Sequence, residues 1–212
     1  MSTAPANISS PIPKEHLFLL GLFTAGLVWS VNAPKDLFTW FLETVPALIA
    51  LVVVLVSYRR FRLTTLIYTL LCLHSLILMI GGHYTYAEMP LFSWLRDEFG
   101  LARNYYDRVG HFAQGFIPAM VFRELLLRRS VLRQGRLLFV VIVSFSLSVS
   151  ALYEFFEWWV ALAIGENADA FLATQGDVWD TQWDMFLAMC GAVCALLILR
   201  NLHDRQLRSA LP

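Results

Sequence analysis

Apolar positions run along this chain in long blocks separated by short polar connections. The blocks cover Leu17 to Val31, Leu37 to Ser57, Leu63 to Gly82, Gly110 to Leu127, Leu137 to Ile164 and Trp183 to Leu199. Most approach the roughly 20 residues that an α-helix needs to cross a bilayer. The expected fold is all-α, a polytopic membrane helical bundle of about six transmembrane helices. Pro46 and Pro118 fall inside blocks and are tolerated there, because neighbouring helices re-satisfy the freed backbone groups. The expected organisation is a disordered lead over residues 1–16, one helical transmembrane domain over 17–202 and a cytoplasmic tail over 203–212. The lead has one lysine and no small-residue cleavage site, so the first block reads as a retained span rather than a signal peptide.

Composition agrees. Of the 212 residues, 58% are hydrophobic and 15% charged, and the mean hydropathy is +0.61. The formal net charge is zero, so overall charge names no partner, and no basic nucleic-acid footprint exists. Cys72, Cys190 and Cys194 all fall in apolar blocks and read as small packing residues.

Lysine and arginine positions give an orientation. Lys14, "RRFR" at 59–62, "RRSVLRQGR" at 128–136 and the tail after Leu199 hold eleven of the sixteen basic residues. The alternate connections hold Lys35, Arg96, Arg103 and Arg108, and residues 165–182 hold none. Both termini are expected in the cytoplasm and the acidic connection outside.

That topology gathers polar residues at the outer helix ends. His83 ends the third block. Asp107, His111 and Gln114 enter the fourth on one helix face, at i, i+4 and i+7. Glu154 and Glu157 share a face of the fifth, and Asp180 and Asp184 a face of the sixth, with Asp177 and Gln182 beside them. Ionisable groups at membrane depth turn inward and pair, so an outward-facing acidic and histidine pocket is expected. Arg108, Gln114, Asp177, Gln182, Tyr84 and Tyr86 would form its rim. Carboxylates and histidines are ligands for divalent cations, and paired carboxylates from several helices build such sites in bundles. Closely placed carboxylates also suit general acid–base work. The metal candidates are His83, His111, Glu154, Glu157, Asp180 and Asp184; the acid–base candidates are Asp107, His111, Glu154, Glu157, Asp180 and Asp184.

Other residues have plainer readings. Trp158, Trp159, Trp179 and Trp183 fit an aromatic belt at one interface. His74 reads as a hydrogen-bonded interior histidine, His16 and His203 as solvated, and Arg123 with Glu124 as snorkelling to the cytoplasmic surface. Gly81 and Gly82 would loosen the turn "GGHYTYAEMP". Nothing comparable to the outer cluster gathers at the cytoplasmic end.

The segments "YYDRVGHFAQGF", "YEFFEWW" and "GDVWDTQWDM" resemble the YjdF-like family of bacterial inner-membrane proteins, a family of unknown function. The likeness runs from Leu17 to Leu202 and implies a multi-pass inner-membrane protein. There is a second, weaker likeness to VanZ-like membrane proteins. Asp107, Arg108, His111 and Phe112 match that family's Asp-Lys/Arg-x-x-His-Phe motif. Glu154 matches its Glu-x-x-Gln, with Glu157 in place of the Gln. Asp180 matches the Asp that an Asn follows four residues later, with Asp184 in place of the Asn. These substitutions leave the pocket more acidic than the pattern.

The function expected from the residues is binding of a divalent cation and action on, or sensing of, a lipid or lipid-linked envelope molecule. As an enzyme it would be a hydrolase or transferase of lipid headgroups. A small cation or solute transporter and a structural polar network remain open. The chain contains no Walker motif, Rossmann fingerprint, HExxH or GxSxG.

Overall fold

In a computed structural model the described residues are 11–165 and 169–210. The lead over residues 1–10 lies outside them, while residues 14–16 already form the first turn of a helix. The long helices are α1 (Lys14–Val31), α2 (Leu37–Ser57), α3 (Thr65–Tyr84), α5 (Tyr106–Arg129), α6 (Arg136–Ile164) and α8 (Asp180–Ile198). They run alternately up and down. Shorter elements sit at the two ends. One end carries the 3₁₀ turn Tyr86–Glu88, α4 (Pro90–Phe99) and α7 (Asp169–Leu172); the other carries α9 (Arg200–Ala210).

Each apolar block coincides with a helix, and four of them, α2, α3, α6 and α8, are long and apolar enough to cross a membrane. The other two fall short for different reasons. α1 opens with Lys14, Glu15 and His16. α5 spans 24 residues, about 36 Å, but buries Asp107, Arg108, His111, Arg123 and Glu124. It can do so because α3, α6 and α8 pack around it. A helix that protein surrounds has no need to be apolar on every side.

The closest backbone approach joins α5 to α8. A Cβ on Gly115 would collide with the Ala188 backbone, and one on Gly191 with the carbonyl of Phe112. Ala188, Ala192 and Ala195 continue the small stripe on α8 and are fully buried. Small residues let helix backbones meet where lipid supplies no hydrophobic drive. Around this contact lies the main apolar core, with Ile67, Leu70, Ile117, Met120, Leu138, Ile142 and Leu196. A smaller core joins α1, α2 and α3 through Phe23, Ala47, Cys72 and Met79.

α4 lies within the connection between the third and fourth apolar blocks. Pro90 takes its first position, where the missing N–H costs nothing, and Gly100 closes it in the left-handed conformation. Leu91, Trp94 and Phe99 are exposed on it, as on a helix lying in a membrane interface. Trp158, Trp159, Trp179 and Trp183 are exposed at the same end.

The opposite end corrects four expectations. It holds a buried polar network that no apolar block announced. Glu124 is fully buried and accepts from Thr64 N at 3.0 Å, Thr64 Oγ1 at 2.7 Å and Arg128 at 2.6 Å. His203, fully buried rather than solvated, faces Glu124 through Nε2 at 3.0 Å and Arg123 through Nδ1 at 2.6 Å. Arg123 does not snorkel; it is 2% exposed and donates to Asp204 at 2.6 Å. The amide of Leu66 donates to Gln206 at 2.8 Å. The tail over 203–210 is thus a helix clamped onto α3 and α5. His16 is buried as well, between Tyr58 at 2.6 Å and Thr65 at 3.1 Å.

Glu124→Ala leaves Arg128 and His203 without their shared acceptor. It is expected to destabilise the folded protein by about 3–5 kcal/mol, read as a lower melting midpoint in detergent. Gly115→Val forces α5 away from Ala188 and is expected to cost about 3 kcal/mol in the same assay.

Candidate functional site

The start of α5 and the α7–α8 connection meet at the end of the bundle that holds the tryptophans. Asn104 aligns them. Its side chain donates to Met89 O at 2.9 Å and Ser93 Oγ at 3.0 Å and accepts from Tyr106 N. Its backbone N–H and carbonyl pair with Gln175 at 2.9 Å each. Arg103 and Arg108 then reach across to the aspartates. Arg103 contacts Asp180 at 2.5 Å, Asp107 and Asp177 at 3.5 Å, and Ala173 O at 2.9 Å. Arg108 bonds Asp184, Asp180 at 2.7 Å and Asp177 at 3.0 Å. Arg103, Asp107, Arg108, Asp180 and Asp184 are all buried. Asp177 lies in the connection outside the spans. The Trp179 N–H, at 2.9 Å, holds its carboxyl below the usual aspartate range, with Arg108 and Arg103 adding to the effect.

One turn further in stands His111. Its Nε2 is 3.4 Å from Asp107 Oδ1 and 3.8 Å from Asp184 Oδ1. Its Nδ1 is 3.1 Å from Gln114 Oε1 and 3.8 Å from Glu154 Oε1. Oxygens on both sides of the ring let it hold a proton or pass one across. The facing oxygen of Glu154 is buried with no hydrogen-bond partner among the described residues. Asp107, His111 and Asp184 each offer a ligand atom, all within 4.8 Å of one another.

His111, Asp107, Gln114 and Glu157 line a cavity of about 350 Å³ between α2, α3, α5 and α6. Glu43 of α2 also lines it, 5% exposed, facing Asp107 and the phenols of Tyr86 and Tyr153. Tyr86 reaches the cavity because Gly81 and Gly110 leave room for its ring; a Cβ on either would overlap it. Gly81 therefore makes a seat rather than a loose turn. His74 lines the cavity halfway along α3, and its Nε2 has no hydrogen-bond partner among the described residues.

The expected residues thus fall into groups. Asp107, Arg108, His111, Gln114, Glu154, Asp177, Asp180 and Asp184 form one cluster, with Glu157 and Tyr86 on the cavity wall. His83 lies apart. It stacks on Trp29 with ring centres 4.5 Å apart and binds Ser30 O at 3.0 Å, beside Tyr84. Gln182 is exposed. Sequence reasoning missed Arg103, counted only as a loop charge, and Glu43. A lone carboxylate seven positions into a 21-residue apolar helix was signal enough.

Comparison with known proteins agrees with this picture of a helical membrane bundle. The family model described as "Predicted membrane protein (DUF2238)" matches residues 15–205. The inner membrane protein YjdF of Escherichia coli (strain K12) is 46% identical over 182 residues, covering 86% of this chain and 87% of the relative. No solved structure matches. With a match that spans the whole bundle, the chain belongs to the YjdF-like family of membrane proteins, DUF2238.

Proposed function

We propose that the protein is a multi-pass protein of the bacterial inner membrane that acts on or senses a lipid or lipid-linked envelope molecule through an outward-facing pocket. In this reading about six helices span the bilayer, both termini are cytoplasmic, and the end holding the tryptophans faces outward. The basic residues of the connections support that orientation. The observation that carries the functional reading is the position of His111. It stands among Asp107, Glu154 and Asp184 at the head of a cavity whose deeper walls are apolar.

The carboxylates divide by task. Asp177 and Asp180 are claimed by Arg103 and Arg108 and set the position of α8. Asp107 and Asp184 share those arginines but also face His111. Glu154 and Glu157 face His111 or the cavity without an arginine, so they and His111 are the acid–base candidates for headgroup hydrolysis or transfer. The partly structural reading of the network is thereby assigned to its outer layer.

A divalent cation on Asp107, His111 and Asp184 is the second reading, favoured by the closeness of their ligand atoms. A cation there competes with Arg108 for Asp184. It would supply Lewis acidity toward a headgroup oxygen. Melting the purified protein with and without Mn²⁺ or Zn²⁺ tests it: the cation reading requires a raised midpoint that His111→Ala removes.

Lipid extracts of cells overproducing the protein are expected to show a headgroup change by mass spectrometry. His111→Asn and Glu154→Gln are expected to abolish that change while altering folding stability by less than about 1 kcal/mol. Arg108→Ala is expected to destabilise the folded protein by about 3–5 kcal/mol, read as a lower melting midpoint, because it strands the buried Asp184 carboxylate and leaves Asp180 to Arg103 alone. A headgroup change that survives His111→Asn would overturn the reading.

A further inference from the structure

The cavity has a shape and a sign that say more about its occupant. Its lining on α5 runs from Asp107 through Gly110, His111, Gln114, Pro118, Val121 and Phe122 to Leu125. Nineteen residues of helix span about 27 Å from first to last Cα, so a volume near 350 Å³ is drawn out along the bundle. A long, narrow space fits a chain rather than a ring system.

The two ends differ in chemistry. Glu43, Asp107 and Glu157 line the head, with the phenols of Tyr86 and Tyr153. Val121, Phe122, Leu125, Phe145 and Val149 line the rest. Arg103 and Arg108 do not line it; their guanidiniums are turned to Asp177, Asp180 and Asp184. Three carboxyl side chains thus line the head; Asp107 is shared with Arg103 at 3.5 Å and His111 at 3.4 Å, while Glu43 and Glu157 face the cavity without an arginine. Pro46 and Pro118 also lie on the wall, and neither has an N–H for the carbonyl one turn earlier. His74 points an unpartnered ring nitrogen into the same space. The carboxylates accept hydrogen bonds, and the phenols and the His74 ring nitrogen can each donate or accept.

There is also a way in. α2 and α6 flank the cavity without forming a helix–helix interface with each other among the described residues. Their outer faces expose Phe41, Ile49, Val52, Leu152 and Phe155, as lipid-facing helices do. A ligand dissolved in the bilayer can enter sideways between them.

We propose that this cavity binds one single-chain amphiphile with an ammonium headgroup. The head sits between Glu43, Asp107 and Glu157, and the chain lies along α5 past Pro118 toward Leu125. This rests on the lipid reading above and adds the sign of the headgroup. An anionic phosphate head meets carboxylates here and is disfavoured.

Native mass spectrometry of the full chain released from maltoside micelles tests it, with dodecylamine and dodecyl phosphate as probes. One dodecylamine is expected per protein, with dodecyl phosphate not retained. Glu43→Gln is expected to weaken amine binding about ten-fold. Val149→Trp fills the chain-binding end, leaves the head untouched and is expected to abolish the adduct, so it reports even where Glu43→Gln fails to fold. Dodecyl phosphate held as tightly as the amine, or amine binding unchanged in both variants, overturns the ammonium head while the lipid reading stands. Retention of neither probe by the folded protein overturns both.

Discussion

Asp107, Asp177, Asp180 and Asp184 crowd one end of a bundle whose interior has a low dielectric, and four carboxylates there repel one another. Arg103 and Arg108 hold them together, each touching at least three. Removing an ion from water costs several kcal/mol, recovered only when its partners are well placed. The forked guanidinium geometry places them, because one arginine can bond two carboxylates at once. The consequence reaches beyond charge balance. The pairing fixes the first turn of α8 against the first turn of α5, and that sets the height at which His111 meets Asp184. The same helix pair then closes through Gly115 and Gly191, so the site is anchored both at its rim and below it.

Much of this was readable from residue order, and the failures share a cause. Block lengths located the long helices, with α2 matched end to end. Helical spacing put Asp107, His111 and Gln114 on one face, and their contacts at 3.4 Å and 3.1 Å agree. Spacing within one helix is set by backbone geometry, so it transfers. Direction between helices does not. His83 sits at the expected end of α3 but points at Trp29 on α1, because topology gives a residue its height and leaves its heading open. His203 follows the last apolar block and looked solvated, yet α9 folds back and buries it. Arg103 looked like a loop charge because its partners lie 74 and 77 positions away. Only tertiary packing brings them near. α4 escaped the length criterion because its ten residues are too few to cross a bilayer.

α5 shows why hydropathy alone misjudges a membrane bundle. It carries ionised groups at both ends and small or apolar residues between, and protein covers it on several sides. The lipid-facing work falls to its neighbours; α2 and α6 are mostly exposed over their apolar stretches. The most polar long helix is thus the one most enclosed by others.

That enclosure has a consequence for biosynthesis. α5 leaves the ribosome well before its partners. Arg108 precedes Asp184 by 76 residues and Arg123 precedes His203 by 80. At ordinary rates of elongation that gap lasts seconds or longer. Until α8 and α9 emerge, Arg108 and Arg123 lack the carboxylates of Asp184 and Asp204 that bind them in the fold. The final packing of α5 therefore waits on residues made after it. Completion of the chain is then what commits the helix to its final place.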